Sequence, residues 1–376
     1  MNLQQLRAVF EEWYGEPHYV LTFARPDEQA IPDRLEILYY FAEEVEEYPT
    51  AIATIGLASY SPIMTSDRAE LMLYVAIGQS QQDYEMLGKG LANLVWSCLA
   101  LGEYFIPNQV LRDISIPLFE RMNSLFVMDW GYKVPEWLPG IEPDVRVLEV
   151  VPIYDSEAEQ LENIEETFRA EICKQAIPKG NRSNPLRDPV RLLTEATKKI
   201  WEHFERWCRE NAPLVCEDLK QGAKVEEIKT LEERIGLTLP EDFAAFLMVH
   251  NGAMWFDSYE YIGTEQIYQT WLRMNQIKEE GFFSNRQIDR RSQGIIKNTW
   301  WDSHWIPFAE DSCGNLHCID LAPDANGSIG QVIYWEKIEG PLPSGCQSFF
   351  AWFRDMEKGL GRYYVFEENG LIYEKF

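Results

Sequence analysis

Three residues in the second half of the chain, Cys313, His317 and Cys318, have side chains that could bind a metal ion. A zinc site usually needs about four ligands at spacings such as C-x2-C. The nearest additional ligands, His304 and Cys346, stand at unpatterned positions, and the adjacent His317 and Cys318 would point to opposite faces of a strand. The sequence therefore predicts no metal site, and we interpret the cysteines as small apolar residues of a half-buried strand.

Other candidates for acid–base chemistry are scattered along the chain. His250 directly precedes Asn251-Gly252 and is predicted to be a core or helix-end residue. Asp311 and Asp320 bracket a Gly-Asn turn, where Asp side chains commonly accept backbone hydrogen bonds. The sequence contains no P-loop, no GxSxG, no GxGxxG after a strand and no HExxH motif. We therefore expect a protein that is not an enzyme and has no catalytic residues, cofactor or metal.

Aromatic and acidic residues stand together shortly after Asn251-Gly252 and are the first candidate binding surface. Aromatic side chains supply contact area and carboxylates complement Lys and Arg, which is the composition of an interface hot spot. The alternative is that the aromatic residues pack into the domain and the carboxylates are solvated. The candidate partner-binding residues are Trp255, Asp257, Tyr259 and Glu260.

A second candidate surface is an acidic helix predicted for residues 34–47. Leu35, Leu38, Tyr39 and Ala42 recur at helical spacing, which places acidic residues on the opposite face. We expect that face to contact a partner as well. The face comprises Glu36, Glu43, Glu44, Glu46 and Glu47, of which the last four are assigned as partner-binding residues.

The charge of the chain restricts the class of partner. The sequence has 34 Lys and Arg against 61 Asp and Glu, a formal net charge of -27. Such a charge repels phosphate backbones and anionic lipids, so we expect no nucleic-acid and no membrane binding. A basic protein partner would be attracted to it. The alternative is that the acidity only keeps the protein soluble.

Cysteine usage and hydropathy indicate a compartment. Seven scattered cysteines do not form a disulfide framework, which favours a reducing environment. The N-terminal sequence has no basic region followed by an apolar run, so no signal peptide is expected. The most apolar stretch, residues 91–106, is shorter than the roughly 18 residues of a membrane span. The sequence predicts a cytoplasmic protein.

The length of 376 residues predicts two domains, since one domain usually takes roughly 100 to 200 residues. A stretch rich in Gly, Asn, Ser and Pro at residues 179–189 interrupts the patterned sequence and marks a boundary. We therefore assign a first domain to residues 1–180 and a second to residues 190–376.

Both domains are predicted to be α+β, each with a mixed or mainly antiparallel sheet packed with helices. In the first, β-branched and aromatic runs predict strands, and a capping box of Ser156 and Glu159 predicts the start of a closing helix. Besides the helix at 34–47, the predicted elements are strands at 51–58, 69–77, 124–128 and 146–153 and helices at 83–101 and 156–174.

In the second domain, helices alternate with short strands and turns. Pro240 fits a first helical turn and Asn251-Gly252 a helix end, which predicts a helix between them. Asn369-Gly370 is typical of a two-residue hairpin turn and predicts a terminal hairpin. Further helices are predicted at 190–211, 225–235 and 349–357.

The second domain resembles the SUKH superfamily, which includes the yeast Smi/Knr regulators and many bacterial immunity proteins. The resemblance depends on several sequence blocks in a fixed order. Such a set occurs by chance much less often than one short motif. The blocks are LEERIGLTLPEDFAAFLMVHNG at 231–252, WIPFAEDSCGNLHCIDLAP at 305–323, GSIGQVIYW at 327–335 and SFFAWF at 348–353.

The first domain resembles the suppressor-of-fused domain through AELMLYV at 69–75 and VLEVVPIYDSEAEQL at 147–161. Both resemblances imply an immunity role in bacteria, in which the protein binds and neutralises a toxin, such as a basic nuclease, without chemistry. The alternative is a regulatory adaptor or scaffold that holds a signalling or cell-wall enzyme. An unrecognised hydrolase is a third hypothesis and would require a pocket with a His and a carboxylate in contact.

Overall fold

The computed structural model describes most of the chain. The described residues are 3–24, 34–41, 49–59, 68–76, 80–102, 104–133, 145–252, 254–256, 258–284, 286–362, 364–366 and 372–374. The chain divides into two compact units, Met1–Leu192 and Leu193–Phe376. Within the described ranges, no helix is long and apolar enough to cross a membrane.

Unit 1 is α+β, as predicted, with a seven-stranded sheet between helices. The strand order is β1-β2-β3-β4-β7-β6-β5, and among the described strands only the β4–β7 pair is parallel. The strands are β1 (Tyr19–Ala24), β2 (Arg34–Tyr40), β3 (Thr50–Ile55), β4 (Arg68–Val75), β5 (Val110–Arg112), β6 (Ser124–Lys133) and β7 (Val145–Ile153). The helices are α1 (Leu3–Tyr14), α2 (Gln81–Leu101), α3 (Asp155–Glu162), α4 (Glu166–Ala176) and α5 (Lys179–Arg182).

The helix predicted for residues 34–47 is wrong, because residues 34–40 form strand β2. Successive side chains of a strand point to opposite faces, and here both faces are covered. Leu35 and Ile37 pack in the core beneath α2, whereas Leu38 packs in the core that includes α1. A strand buried on both faces has a continuous apolar run, which also satisfies helical spacing. Glu43, Glu44, Glu46 and Glu47 lie outside the described residues.

The single helix predicted for 156–174 is also wrong, since α3 and α4 are separate helices. The helix α3 begins at Asp155, one residue before the expected cap, Ser156. Glu157 instead performs the capping contact, because its carboxylate accepts a hydrogen bond from the Tyr154 N–H at 3.0 Å. The cap and its partner, Tyr154 and Glu157, therefore lie two residues before the expected pair, Ser156 and Glu159.

Unit 2 is α+β with a fully antiparallel six-stranded sheet of order β13-β12-β11-β10-β9-β8. The helices are α6 (Leu192–Asn211), α7 (Pro213–Asp218), α8 (Val225–Ile235), α9 (Glu241–Val249), α10 (Thr264–Glu279) and α11 (Phe349–Gly359). The strands are β8 (Met254–Phe256), β9 (Tyr259–Tyr261), β10 (Trp305–Asp311), β11 (Leu316–Asp320), β12 (Gln331–Glu336) and β13 (Gly340–Pro343).

The strands predicted for the terminal hairpin are confirmed as β14 (Tyr364–Phe366) and β15 (Ile372–Glu374), which pair antiparallel. The predicted turn at Asn369-Gly370 lies outside the described residues. The helices predicted at 190–211, 225–235 and 349–357 correspond to α6, α8 and α11.

Two aromatic-rich cores cover the two faces of the unit 2 sheet. On one face, rings of α9 and α11 interlock, with Phe243 and Phe349 centroids 4.9 Å apart and Phe246 and Phe353 also 4.9 Å apart. On the other face, Met274 of α10 packs in a cluster that contains Leu316 and Trp335. This second core fixes α10 over the sheet.

Candidate functional site

The Asn251-Gly252 pair fixes the start of the hairpin β8–β9 against the start of α10. The Asn251 Oδ1 atom accepts a hydrogen bond from the Thr264 N–H at 2.8 Å. Gly252 has φ of +86°, and a Cβ atom there would lie 2.4 Å from the Gly263 nitrogen. Two backbone segments therefore approach so closely that only glycine fits. The pair does more than end α9, because it also positions the hairpin.

One cross-strand row of side chains runs from the edge of the sheet to its core. Directly paired residues of antiparallel strands share a face, with Cβ atoms about 5 Å apart. Trp255 pairs with Glu260, Glu260 with Glu310, Glu310 with Leu316, and Leu316 with Trp335. The row therefore begins at β8 and ends in the core beneath α10.

A groove follows this row between α10 and the sheet, and we call it the α10 groove. Its polar half has a volume of about 390 Å³ and is lined by Trp255, Glu260 and Glu310, among others. Its apolar half has a volume of about 650 Å³. Both halves share four lining residues, Arg273, Glu310, Asp311 and Ser312, so the two halves are adjacent.

An ion pair lies where the two halves of the groove meet. Arg273 donates a hydrogen bond to Glu310 Oε1 at 2.6 Å, and the Thr270 hydroxyl donates to Oε2 at 3.1 Å. Both oxygens of Glu310 therefore have partners. Glu260, directly opposite, has no hydrogen-bond or ion-pair partner within the part of the chain that the structure describes. The carboxylate of Glu260 is thus not neutralised by those residues.

The apolar half of the groove is lined by Met274, Ile277, Phe283 and Trp335, among others. Phe282 lies at this half with 67% of its surface exposed. The guanidinium of Arg286 lies 4.8 Å from the Trp300 ring centroid, a cation–π contact, and donates to the Lys337 carbonyl at 3.3 Å. These contacts hold the rim of the apolar half.

The predicted surface after Asn251-Gly252 divides between the two faces of the sheet. Trp255 and Glu260 line the α10 groove. Tyr259 faces the other side, where its ring stacks on His317 at a centroid distance of 3.9 Å. Asp257 lies outside the described residues. The assignment of Trp255, Asp257, Tyr259 and Glu260 as partner-binding residues stays a prediction.

The Cys313, His317 and Cys318 group is dispersed by the sheet. Cys318 lies in the core beneath α10, whereas His317 packs on the opposite face against Tyr259 and Tyr334. Burial lowers the pKa of His317 to about 3, so its ring is neutral at ordinary pH. Among the residues that the structure describes, no group of three or more His, Cys, Asp or Glu is arranged to hold a metal ion.

His250 lies at the end of α9, where the sequence placed it. One ring nitrogen is 2.9 Å from the Lys220 carbonyl oxygen and the other is 2.9 Å from Glu205 Oε1. The ring also lies edge-on to Trp201 at a centroid distance of 4.7 Å. These contacts tie α6 to α9, away from the α10 groove.

Asp242 is a buried carboxylate in the first turn of α9. Its Oδ2 atom accepts a hydrogen bond from the Phe350 N–H at 2.7 Å, which joins the starts of α9 and α11. Burial raises the pKa of Asp242 to about 6, although this contact and a second from the Phe243 N–H oppose the shift. Asp242 therefore holds together the layer that supports the sheet.

The sequence analysis missed three residues of the α10 groove: Thr270, Arg273 and Glu310. Glu310 lies within the block at 305–323 that carries the family resemblance. That it faces Glu260 depends on the strand register, which the sequence does not show. Arg273 and Thr270 are one turn apart on α10, and that spacing was the available signal of a shared helix face.

Comparison with known proteins finds a family match within the second half of the chain. Residues 222–355 match the model of the SMI1 / KNR4 family (SUKH-1). The sequence-based resemblance of this region to the SUKH superfamily is thereby confirmed. The match includes the strand and helix segments that carry Trp255, Glu260, Arg273 and Glu310.

Curated relatives include two fungal proteins. One is the glucan synthesis regulatory protein of Neurospora crassa, 25% identical over 177 residues, which cover 36% of this chain and 33% of the relative. Another is the cell wall biosynthesis/cell cycle regulator smi1 of Schizosaccharomyces pombe, 30% identical over 185 residues, which cover 44% of this chain and 34% of the relative. The chain thus spans about a third of the length of these relatives.

Solved structures similar to the N-terminal part of the chain are suppressor of fused structures. The crystal structure of the Sufu–Fu complex has 11% identity and a TM-score of 0.35, with 53% of this chain and 93% of the other covered. A suppressor of fused homologue from Neisseria gonorrhoeae has 12% identity and a TM-score of 0.35, with 50% and 94% covered. At these scores we draw no functional conclusion from the likeness.

Proposed function

We propose that this chain is a non-enzymatic protein-binding protein, and that it serves as a bacterial immunity protein that neutralises a basic toxin. The observation that carries the proposal is the α10 groove, which combines an aromatic side chain, Trp255, with the carboxylates Glu260 and Glu310. Aromatic anchors beside complementary charges are the composition of protein interface hot spots. The toxin would be inactivated by occlusion of its active site.

The charge of the protein supports a basic partner. A net charge of -27 attracts a positively charged protein over distances longer than a contact and so increases the association rate. The resemblance to SUKH-type proteins, which in bacteria implies an immunity role, supports the same proposal. A toxin produced within or delivered to the cell would be met in the cytoplasm, where we propose that the protein acts.

A second candidate function is a regulatory adaptor of a cell-wall enzyme. The names of the fungal relatives favour it, since they describe regulators of glucan synthesis and of cell wall biosynthesis. Both candidates are protein-binding functions, and they differ in the partner. A secreted or delivered toxin favours the first candidate, and an endogenous enzyme of the same cell favours the second.

The test is recovery of the partner with the tagged full chain from the native host, followed by association kinetics. We expect a stoichiometric complex whose association rate falls about tenfold or more when the salt concentration rises from about 50 mM to about 500 mM, because salt screens long-range attraction. The dissociation rate is the internal control, since it reflects short-range contacts and should change much less. An association rate that is independent of salt would contradict the electrostatic part of the proposal.

A further inference from the structure

The charges along the α10 groove indicate what its polar half accepts. Glu260 and Glu310 are directly paired on adjacent antiparallel strands, an arrangement in which like charges repel. Arg273 and Thr270 occupy the oxygens of Glu310, and Glu260 has no partner among the described residues. A cation placed at Glu260 would remove this repulsion. The polar half is therefore complementary to a positively charged group.

Trp255 specifies the kind of cation. The indole is half-buried, lies opposite Glu260 in the strand register and lines the polar half of the groove. The face of an indole attracts a guanidinium or ammonium group and also packs on the aliphatic stem that carries it. The nearby amide of Gln269 supplies an oxygen acceptor for the N–H groups of that cation. These features fit an Arg or Lys side chain.

The apolar half of the groove indicates which second side chain of the bound segment accompanies that cation. Met274, Ile277, Phe283 and Trp335 line a volume of about 650 Å³, which is large enough for an aliphatic or aromatic side chain. The two halves adjoin at Arg273 and Glu310. In an extended segment, side chains two positions apart point to the same side, so a basic and an apolar side chain at that spacing can enter the two halves together.

We infer that the α10 groove docks a segment of the partner protein in which an Arg or Lys stands two positions from an apolar residue. The basic group lies between Trp255 and Glu260, and the apolar side chain lies against Met274 and Trp335. This inference rests on the proposed function, because it assigns the site and the chemistry by which a protein partner is held.

The experiment uses the full chain and a short synthetic probe. The probe is the acetylated and amidated pentapeptide Leu-Ser-Arg-Ser-Leu, and its matched control contains citrulline, a neutral isostere of arginine, at the central position. Affinities are measured by calorimetric titration at low salt. We expect the arginine peptide to bind about tenfold more tightly, since a hydrogen bond to a charged group contributes most in a partly buried site.

Two substitutions localise the effect. Glu260→Gln should lower the affinity for the arginine peptide about tenfold and leave that for the citrulline peptide unchanged. Glu233→Gln is the matched control, because it removes the same charge from an exposed position of α8 outside the groove. Trp255→Ala is a second test at the edge strand and should weaken both peptides, since the indole contacts the stem as well as the charge.

Equal affinity for the two peptides, or the absence of binding by both, would overturn the inference. An equal effect of Glu260→Gln and Glu233→Gln would also overturn it, because the attraction would then arise from net charge alone. These outcomes are separate from the proposed function. A partner that is recovered normally by the Glu260→Gln and Trp255→Ala variants shows that the protein binds elsewhere, whereas failure to recover any partner contradicts the proposed function itself.

Discussion

Asp242 connects two helices whose first turns are distant in sequence. Its carboxylate accepts hydrogen bonds from the Phe243 and Phe350 N–H groups, and its side chain is buried. An unfolded aspartate titrates near pH 3.8, whereas burial raises the pKa of Asp242 to about 6 in the folded protein. Between these values the folded state retains a proton that the unfolded state has lost.

This difference predicts how stability depends on pH. The stabilisation associated with the proton of Asp242 is complete below about pH 4 and is lost as the pH rises through about 6. From about pH 5 to about pH 7, the free energy of unfolding of the native protein should fall by about 1 kcal/mol relative to that of Asp242→Asn. The free energy of unfolding at each pH is measured by urea denaturation followed by tryptophan fluorescence.

The control for this prediction is Asp218→Asn, which changes an exposed aspartate at the end of α7. Its stability should follow that of the native protein at each pH. A native protein and an Asp242→Asn variant with the same pH dependence would contradict the prediction.

At the scale of single residues, the sequence indicated which residue types belong to the site better than it indicated which residues contact one another. Trp255 and Glu260 could be selected because aromatic and acidic residues stand close together in the chain, and both line the α10 groove. Glu310 could not be paired with Glu260, because 50 positions separate them and their contact depends on strand register. The opposite orientation of Tyr259 follows from strand alternation, which becomes predictable only when the strand limits are known.

At the scale of elements, Asn251-Gly252 shows how a turn signal can carry more than a helix end. Gly252 combines a left-handed backbone with contact to Gly263, so the hairpin β8–β9 and the start of α10 depend on one another. The sequence predicted the end of α9 correctly. The approach of Gly263 could not be predicted, since it joins two separate loops.

Substitution of Gly252 tests whether the β8–β9 hairpin and the start of α10 depend on one another. Gly252→Ala should lower the free energy of unfolding by about 2 kcal/mol or more, because a Cβ atom would meet the Gly263 nitrogen in addition to the cost of positive φ. Gly236→Ala is the control: Gly236 has φ of +70° with open space around its Cβ position, so only about 1 kcal/mol should be lost. Urea denaturation measures both, and equal losses would show that the close approach is unimportant.

The incorrect helix at 34–47 has a physical cause at the same scale. Residues 35, 37 and 39 face one core and residues 38 and 40 the other, so the apolar pattern satisfies both a strand buried on two sides and a helix. By contrast, helices α8 and α11 have one apolar face each and were predicted correctly. Amphipathic elements are readable from sequence, whereas fully buried strands depend on what covers them.

At the scale of the whole molecule, the chain consists of two units whose division, at Leu192, lies close to the predicted boundary. Residues 179–189 were interpreted as a linker from their composition. In the structure, Arg187 pairs with Glu157 through two contacts of 2.6 Å, and Arg182 pairs with Glu149 at 2.8 Å, all within unit 1. Composition cannot show this, because the acidic partners lie about 30 residues earlier. The domain limits of 1–180 and 190–376 stay a proposal.

These buried ion pairs predict how the segment responds to substitution. Arg187→Met should destabilise unit 1 by about 3 kcal/mol, because it leaves the Glu157 carboxylate buried without its cation. Limited trypsin digestion should then cleave after Lys179 and Arg182 much faster than in the native protein. Arg121→Met removes an exposed pair with Asp188 on the same segment and should cost less than about 1 kcal/mol. Similar digestion of both variants would contradict a role for burial.

The row from Trp255 to Trp335 has members that tolerate change to different degrees. Leu316 and Trp335 are packed under α10, and their replacement would open a cavity in the hydrophobic core. Trp255 and Glu260, in contrast, belong to two three-residue strands at the edge of the sheet, and their side chains are only partly buried. Descendants of this protein can therefore exchange the two outer side chains and acquire new ligand preferences while they inherit the same scaffold, so specificity can diverge without a loss of folding.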